Sequence, residues 1–278
     1  MKEQEIKKNV RERYGKLAKT SSSCCTPQAS SSCCGTNIAR EISKNVGYTD
    51  RDVNSVPEGA NLGLGCGNPV ALASLKEGEV VVDLGSGAGF DCFLASPLVG
   101  EKGRVIGVDM TPEMLEKARD NADRGGYRNV EFRLGEIEHL PVADNSADII
   151  ISNCVINLAP DKSRVFNEAY RVLKPGGRLM VSDIVLLAQL PDSVRRSVAA
   201  YIGCVAGASL KQSYLDAIKE AGFSDIQVLG ETGFEEQTLK AEPILKSIAG
   251  SESVSGDDLK KAGKVVRSIK VSAIKPGK

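Results

Sequence analysis

The sequence predicts an α/β fold in which a mostly parallel sheet carries helices on both faces. From residue 79 onward, short apolar strand patterns alternate with segments that have the periodicity of helices. Such alternation indicates parallel strands joined by right-handed crossovers. The chain has 278 residues, of which 41% are hydrophobic, and this composition is enough to bury a sizeable core.

The predicted elements follow in order along the chain. Ile6, Val10, Tyr14 and Leu17 recur at steps of three and four, which predicts an amphipathic helix over residues 2–19. Strands are predicted over residues 80–84, 105–109, 130–134, 148–152, 178–183, 225–229 and 266–274. Helices are predicted from about residue 88, from residue 112, and over residues 162–173, 192–203 and 211–221. The sheet therefore has seven strands, and the last two close it.

Charge and cysteine content restrict the partners and the compartment. Lys plus Arg equals Asp plus Glu at 36 each, so no overall field attracts nucleic acid or an anionic membrane, and we expect a small-molecule partner. No apolar run reaches the roughly 18 residues that span a membrane, and the charged N-terminal segment does not resemble a signal peptide. We therefore expect a cytoplasmic protein, in which thiols act as ligands, nucleophiles or redox groups.

A glycine-rich loop at residues 83–89 predicts a cofactor site. The loop directly follows an apolar strand and opens a helix, so its backbone N–H groups can approach a ligand closely. Asp109 ends the next strand, where a carboxylate can accept both hydroxyls of an adenosine ribose. A dinucleotide fingerprint would have glycine at the position of Phe90. The pattern therefore favours S-adenosylmethionine over NAD.

Three of the cysteines lie in different sequence surroundings, which predict different roles for them. Cys154 follows the fourth predicted strand, at the edge where α/β sheets bind ligands, and a soft thiol there points to a thiophilic substrate. Cys66 lies in a second glycine cluster, residues 63–69, which is either a flexible loop or a close backbone approach that exposes the sulfur. Cys92 falls one turn into a predicted helix, and core packing explains it best.

Residues 20–36 predict a mobile loop. They combine small polar residues with Pro27 and Gly35, a composition that cannot bury enough apolar area to order itself. Four cysteines lie here in two adjacent pairs, whereas zinc sites use spaced pairs, and His139 is the only histidine of the chain. A role as redox or ligand thiols is favoured over structural zinc or a dispensable tail.

The chain resembles the prokaryotic arsenite methyltransferases, a family of class I (Rossmann-like) methyltransferases, from about residue 14 to residue 223. The glycine loop and its acidic partner occur throughout class I methyltransferases, whereas the cysteine-bearing motifs 152–158 and 204–208 are specific to the arsenic-methylating branch. The motifs that carry the resemblance are residues 63–69, 81–92, 107–115, 152–158 and 204–208.

The resemblance implies roles for individual cysteines. Cys66, Cys154 and Cys204 match the three arsenic-coordinating cysteines of the family, and a further N-terminal cysteine forms a disulfide during turnover. For that last role Cys34, beside Gly35, is preferred over Cys33, Cys24 and Cys25, and all four candidates remain open. Trivalent arsenic is soft and prefers thiolates, and its lone pair lies opposite the three sulfurs. Because arsenic has no proton to remove, methyl transfer by in-line displacement needs no general base.

The resemblance also assigns cofactor contacts and an organisation of the chain. Residues 1–60 form an N-terminal helix with the cysteine-rich loop, 61–185 the S-adenosylmethionine-binding domain, and 186–278 a small substrate-binding lobe with the closing strands. Turnover would need a thiol reductant, thioredoxin or glutathione. The expected cofactor-binding residues are Tyr14, Asp83, Gly85, Ser86, Gly87, Asp109, Met110, Glu136, Ile137, Glu138 and Asn153.

Two other functions remain open on the sequence. One is methylation of a small organic acceptor, in which the cysteines are incidental. The other is a thiol metalloid-binding protein that has kept the fold without catalysis. The arsenic hypothesis predicts methyl- and dimethylarsenicals as products and a role in arsenic detoxification.

Overall fold

The computed structural model describes residues 3–20, 34–197, 201, 204–233 and 255–277. Within these residues, one sheet has seven strands in the order β3-β2-β1-β4-β5-β7-β6. Strands β1 to β5 run parallel, whereas β7 lies antiparallel between β5 and β6. The mostly parallel α/β fold is therefore confirmed. The strands are β1 Val80–Leu84, β2 Arg104–Asp109, β3 Val130–Leu134, β4 Ala147–Asn153, β5 Leu173–Leu186, β6 Ser224–Gly233 and β7 Val266–Ile274.

The helices flank this sheet and close its N-terminal side. The predicted N-terminal helix is confirmed as α1, and the helix after the glycine loop begins two residues later than expected. The predicted helix over residues 192–203 has only one short described segment, α8, and residues 198–200, 202 and 203 lie outside the described residues. The helices are α1 Glu3–Thr20, α2 Cys34–Asn45, α3 Asp50–Ser55, α4 Pro69–Leu72, α5 Phe90–Val99, α6 Pro112–Gly125, α7 Lys162–Val172, α8 Asp192–Arg195, α9 Lys211–Glu220 and α10 Gly256–Val265, with a 3-10 turn at Ile156–Leu158.

The core lies on both faces of the sheet because side chains alternate along each strand. In β1, Val81 joins an apolar cluster with Phe93 on one face, whereas Val82 and Leu84 join a second cluster on the other face. All three β1 side chains are fully buried. Burial on both faces explains why the strands read as continuous apolar runs.

The strand order brings several polar side chains to one edge of the sheet. Strands β1 and β4 are neighbours, and the crossovers that follow them lead to β2 and β5 on opposite sides, which opens a crevice at the carboxyl ends. Asp83, Asp109, Asn153 and Asp183 lie at or near the carboxyl ends of β1, β2, β4 and β5. Strands β6 and β7 complete the same sheet, and the division of the chain into three parts remains a prediction. No helix of the described residues is long and apolar enough to cross a membrane.

Candidate functional site

The glycine loop after β1 is held tightly against β2. The N–H groups of Gly85 and Ser86 donate to the carbonyl of Val108 at 2.8 and 3.0 Å, and the N–H of Gly87 donates to Asp109 Oδ2 at 2.9 Å. Gly85 has φ +69°, and a Cβ there would collide with Val155. Only glycine meets both requirements, which explains why the sequence has it there.

A cavity of about 1080 Å³, partly open to solvent, lies over this loop at the crevice. Ten of the eleven predicted cofactor residues line it, and Glu136 is the exception. The lining ones are Tyr14, Asp83, Gly85, Ser86, Gly87, Asp109, Met110, Ile137, Glu138 and Asn153. The position of the cavity, at the crevice where α/β sheets bind ligands, is typical of a small-molecule site.

The cavity is acidic. Among the described residues that line it, Asp83, Asp91, Asp109 and Glu138 are acidic, whereas Lys7 is the one cation. Burial raises the pKa of Asp83 well above its usual value, raises that of Asp91 to about 6, and raises that of Asp109. Desolvated carboxylates of this kind favour a cationic ligand.

The residues present therefore fit S-adenosylmethionine, which carries a sulfonium and an ammonium against one carboxylate. They do not suit the anionic pyrophosphate of NAD. Asp109 lies at the end of β2, where the ribose is expected. The buried hydroxyl of Ser86, in the glycine loop, has no hydrogen-bond partner within the described part of the chain, and is available to a ligand.

Helix α1 covers one side of the cavity. Lys7, Val10 and Tyr14 of this helix all line it. The Nζ of Lys7 lies 2.8 Å from Glu136 and 3.2 Å from Glu138. Glu136 thus faces α1 and anchors the helix, whereas adenine contact was expected of it.

The three cysteines expected to hold arsenic come from three separate segments and approach one another. The carbonyl of Ser182 accepts the N–H of Cys154 at 2.8 Å and the thiol of Cys66 at 3.4 Å. The thiol of Cys204 donates to the carbonyl of Cys154 at 2.8 Å. The Sγ atoms of Cys66 and Cys154 lie within 4.8 Å of each other.

Among the described side chains, one further cysteine, Cys92, lies outside this group. Cys34 begins α2, but its side chain lies outside the described residues, as do Cys24, Cys25 and Cys33. Cys92 is fully buried in α5 and donates to Asp83 Oδ2 at 3.2 Å. Core packing, as predicted for Cys92, is confirmed.

Two of the three grouped cysteines have strained backbone. Cys154 has φ +60° and Cys204 has φ +61°, both in the left-handed region. An L-residue there costs roughly 1–2 kcal/mol, so glycine is the usual choice. Strain of this kind clusters at functional sites. Both positions retain cysteine despite the cost, which favours a role for the sulfur atoms.

Asn153 fastens the Cys66 loop to the end of β4. Its Oδ1 accepts the N–H groups of Cys66 at 2.9 Å and Gly67 at 3.3 Å. Its Nδ2 lies 2.8 Å from the hydroxyl of Tyr48 and 3.0 Å from Asp91 Oδ2. The amide of Asn153 therefore connects the segment that bears the Cys66 thiol with the acidic cavity.

The glycines of the loop make this contact feasible. A Cβ at Gly65 would lie 2.5 Å from Asn153 Nδ2, and a Cβ at Gly67 would lie 2.5 Å from Ser182 Oγ. Of the two interpretations of this glycine cluster, the close backbone approach is confirmed. The sulfur of Cys66 is half-buried.

The pKa values of the three thiols are all raised by their surroundings. Desolvation raises the pKa of Cys66. A hydrogen bond with Cys204 lowers the pKa of Cys154, but the hydrogen bond with Cys66 and burial outweigh it and raise this pKa well above its usual value. The pKa of Cys204 is raised well above its usual value by the hydrogen bond with Cys154 and by burial.

The sequence analysis missed two acidic residues of the site. Asp91 lines the cavity at the start of α5, and Asp183 lies beside Cys66 and Cys154. The signal for Asp183 was present, because it follows an apolar strand as Asp83 and Asp109 do. Asp91 lies two residues after the glycine loop, in the first turn of α5.

Comparison with known proteins gives concordant matches. Residues 75–222 match the methyltransferase domain family. An arsenite methyltransferase of Halobacterium salinarum is 51% identical over 230 residues, which are 81% of this chain and 59% of that protein. The human arsenite methyltransferase is 38% identical over 232 residues, 80% of this chain and 59% of that protein. The chain thus spans about 59% of the length of these relatives.

A solved structure also agrees over most of the chain. The arsenic(III) S-adenosylmethionine methyltransferase from Chlamydomonas reinhardtii aligns with a TM-score of 0.63 and 35% identity, covering 86% of this chain and 74% of that one. The family match, this structure and the curated relatives lead to the same group of proteins. The chain belongs to the methyltransferase domain family, in the branch of the arsenite methyltransferases.

Proposed function

We propose that this protein methylates trivalent arsenic with S-adenosylmethionine as the methyl donor, giving methyl- and dimethylarsenicals. The observation that carries the proposal is the approach of Cys66, Cys154 and Cys204, from three segments, beside the acidic cavity. The strained backbone of two of these residues supports it. Arsenic detoxification in the cytoplasm is the physiological role that this chemistry suggests.

Arsenic capture exchanges oxygen ligands for sulfur ligands. Arsenite, As(OH)₃, loses three hydroxyls as water while three thiols lose their protons to those hydroxyls, so atoms and charge balance. Cys66, Cys154 and Cys204 supply the sulfurs, and Asn153 holds the backbone of Cys66 in place. The resulting centre has its lone pair opposite the three sulfurs.

The chain's role in methyl transfer is to position two reactants and exclude water. When bound, S-adenosylmethionine would supply an electrophilic methyl carbon to the arsenic lone pair, with S-adenosylhomocysteine as the leaving product. The glycine loop, Asp109 and Ser86 would hold the cofactor, while α1 covers it. Near-attack placement of this kind can supply about 7–11 kcal/mol of the barrier.

Transfer leaves arsenic formally pentavalent, so turnover needs two electrons from a thiol reductant. We assign this role to thioredoxin or glutathione, with Cys34 as the preferred N-terminal cysteine of a disulfide relay. The disulfide forms as arsenic returns to the trivalent state, and the external thiol then reduces the disulfide.

The test is a product assay with purified, reduced protein, arsenite, methyl-labelled cofactor and a thiol reductant. We expect labelled methylarsenicals and S-adenosylhomocysteine. Cys154→Ser should abolish them while the affinity for S-adenosylhomocysteine stays within about threefold. Arsenite binding without any S-adenosylhomocysteine release would indicate a binding protein. Full arsenite turnover by the serine variant would show that Cys154 does not hold arsenic, and labelling of an organic compound in place of arsenic would favour an organic acceptor.

A further inference from the structure

The carboxylate of Asp183 lies beside the grouped thiols of Cys66 and Cys154, and the proposed arsenic chemistry does not use it. A carboxylate oxygen of Asp183 and the Sγ atoms of Cys66 and Cys154 all lie within 4.8 Å of one another. Asp183 is 1% exposed and Cys154 is 4% exposed. Trivalent arsenic prefers soft thiolates, whereas a carboxylate is a hard ligand. Two thiols and one carboxylate together therefore suit a ligand other than arsenic, one that binds both sulfur and oxygen.

We infer that Cys66, Cys154 and Asp183 form a binding site for a thiophilic divalent cation such as Zn²⁺, which competes with arsenite for the two thiols. Zinc binds Cys sulfur at about 2.3 Å and carboxylate oxygen at about 2.0–2.2 Å. Tetrahedral geometry with these bonds places ligand atoms about 3.5–3.8 Å apart. Because no two of these atoms are more than 4.8 Å apart, they need to approach by at most about 1.3 Å to bind the metal.

The carboxylate of Asp183 is already oriented by its own hydrogen bonds. Its Oδ1 accepts Asn157 Nδ2 at 2.8 Å and the N–H of Ile184 at 2.8 Å. Its Oδ2 accepts the hydroxyl of Tyr214 at 3.1 Å. Ligating carboxylates in metal sites are held by such partners, and losing one partner costs about 10–100-fold in metal affinity.

Cation binding would balance the charge of this group. Two thiolates and a carboxylate carry three negative charges in a largely buried place, and a divalent cation compensates most of them. Each thiol gives up its proton when the metal–sulfur bond forms. A water molecule completes the fourth position, as in open zinc sites. Arsenite needs Cys66 and Cys154 too, so the two ligands exclude each other; only this competition depends on the proposed function.

The experiment titrates the full, reduced protein with ZnCl₂ alone and follows binding by calorimetry or by competition with a chromophoric chelator. Asp183→Asn should weaken zinc binding by about 100-fold, because it replaces a ligand and not only its partner. Arsenite affinity, measured by equilibrium dialysis, should stay within about threefold. The control Asp123→Asn, at an exposed site of α6, should change neither, and Cys66→Ser should weaken both.

A second variant keeps the test decisive if Asp183→Asn does not fold by circular dichroism. Tyr214→Phe removes one hydrogen bond to the carboxylate and should weaken zinc binding by about tenfold, with arsenite affinity unchanged. Zinc affinity that is unaltered in the folded variant, or arsenite affinity that falls equally, overturns the inference. Zinc binding by a protein that does not bind arsenite would instead refute the proposed function and leave the cation site standing.

Discussion

The left-handed backbone at Cys154 predicts that glycine destabilises the protein less than alanine does at this position, the reverse of the order usual in a helix. Alanine and glycine both remove the sulfur, but only glycine adopts φ +60° without the steric cost of a Cβ. That relief is roughly 1–2 kcal/mol, and the greater freedom of glycine in the unfolded chain offsets about 0.5–1 kcal/mol. Cys154→Gly should therefore be more stable than Cys154→Ala by about 0.5–1 kcal/mol.

Cys92 provides a matched control in ordinary helical backbone. It is also a fully buried cysteine, but it lies inside α5, where glycine is about 1 kcal/mol less favourable than alanine. Cys92→Gly should therefore be less stable than Cys92→Ala. The two pairs of variants should differ in sign, with a separation of about 1.5–2 kcal/mol.

The measurement is the free energy of unfolding from urea titrations of all four variants. Cys204, with φ +61°, should repeat the order found at Cys154. Neither variant at position 154 should methylate arsenite, whichever is more stable. If Cys154→Ala proved as stable as Cys154→Gly, the backbone would not be strained there, and its support for a functional sulfur would be lost.

Three further outcomes test the site. Because the pKa values of the three grouped thiols are raised, their thiolate fraction grows about tenfold per pH unit between pH 6 and 8. The rate of arsenite capture, measured by stopped flow, should rise with this fraction. A rate that does not change with pH would contradict the prediction. Asn153→Ala should lower the free energy of unfolding by about 2–3 kcal/mol, since several buried polar groups lose a partner. A loss below about 0.5 kcal/mol in urea titrations would show that the Asn153 amide does not hold the Cys66 loop. Lys7→Met should weaken S-adenosylhomocysteine binding several-fold in calorimetry, because two glutamates lose their cation. The control Lys8→Met, on the exposed face of α1, should not weaken it. Equal effects of the two substitutions would exclude a specific role for Lys7.

The sheet and its cofactor loop could be predicted from the sequence because both depend on local signals. Strand β7 has the bounds that its apolar alternation predicts, and the loop after β1 has glycine where the backbone requires it. For the helix predicted over residues 192–203, the structure shows α8 at its start, and residues 198–200, 202 and 203 lie outside the described residues.

Long-range pairing was harder to predict. The hydrogen bonds of Asn153 join positions as far as 105 residues apart in the chain, and no local pattern contains them. Glu136 was expected to contact the cofactor because it follows β3, but it pairs with Lys7 of α1 and is not among the residues that line the cavity. The left-handed backbone of Cys154 and Cys204 depends on tertiary packing, so the residue type gave no indication of it.

The adjacency of Asn153 and Cys154 constrains how this protein can diverge. Asn153 is the last residue of β4, and Cys154 follows it directly in left-handed backbone, so inserting or deleting one residue in β4 would displace the amide and the thiol together. Under the proposed function, such a change would disturb the cofactor contacts and the arsenic contacts at once. Evolution or engineering of new acceptor preference must therefore work through point changes, or through the loops bearing the other two sulfurs, while the length of this strand stays fixed.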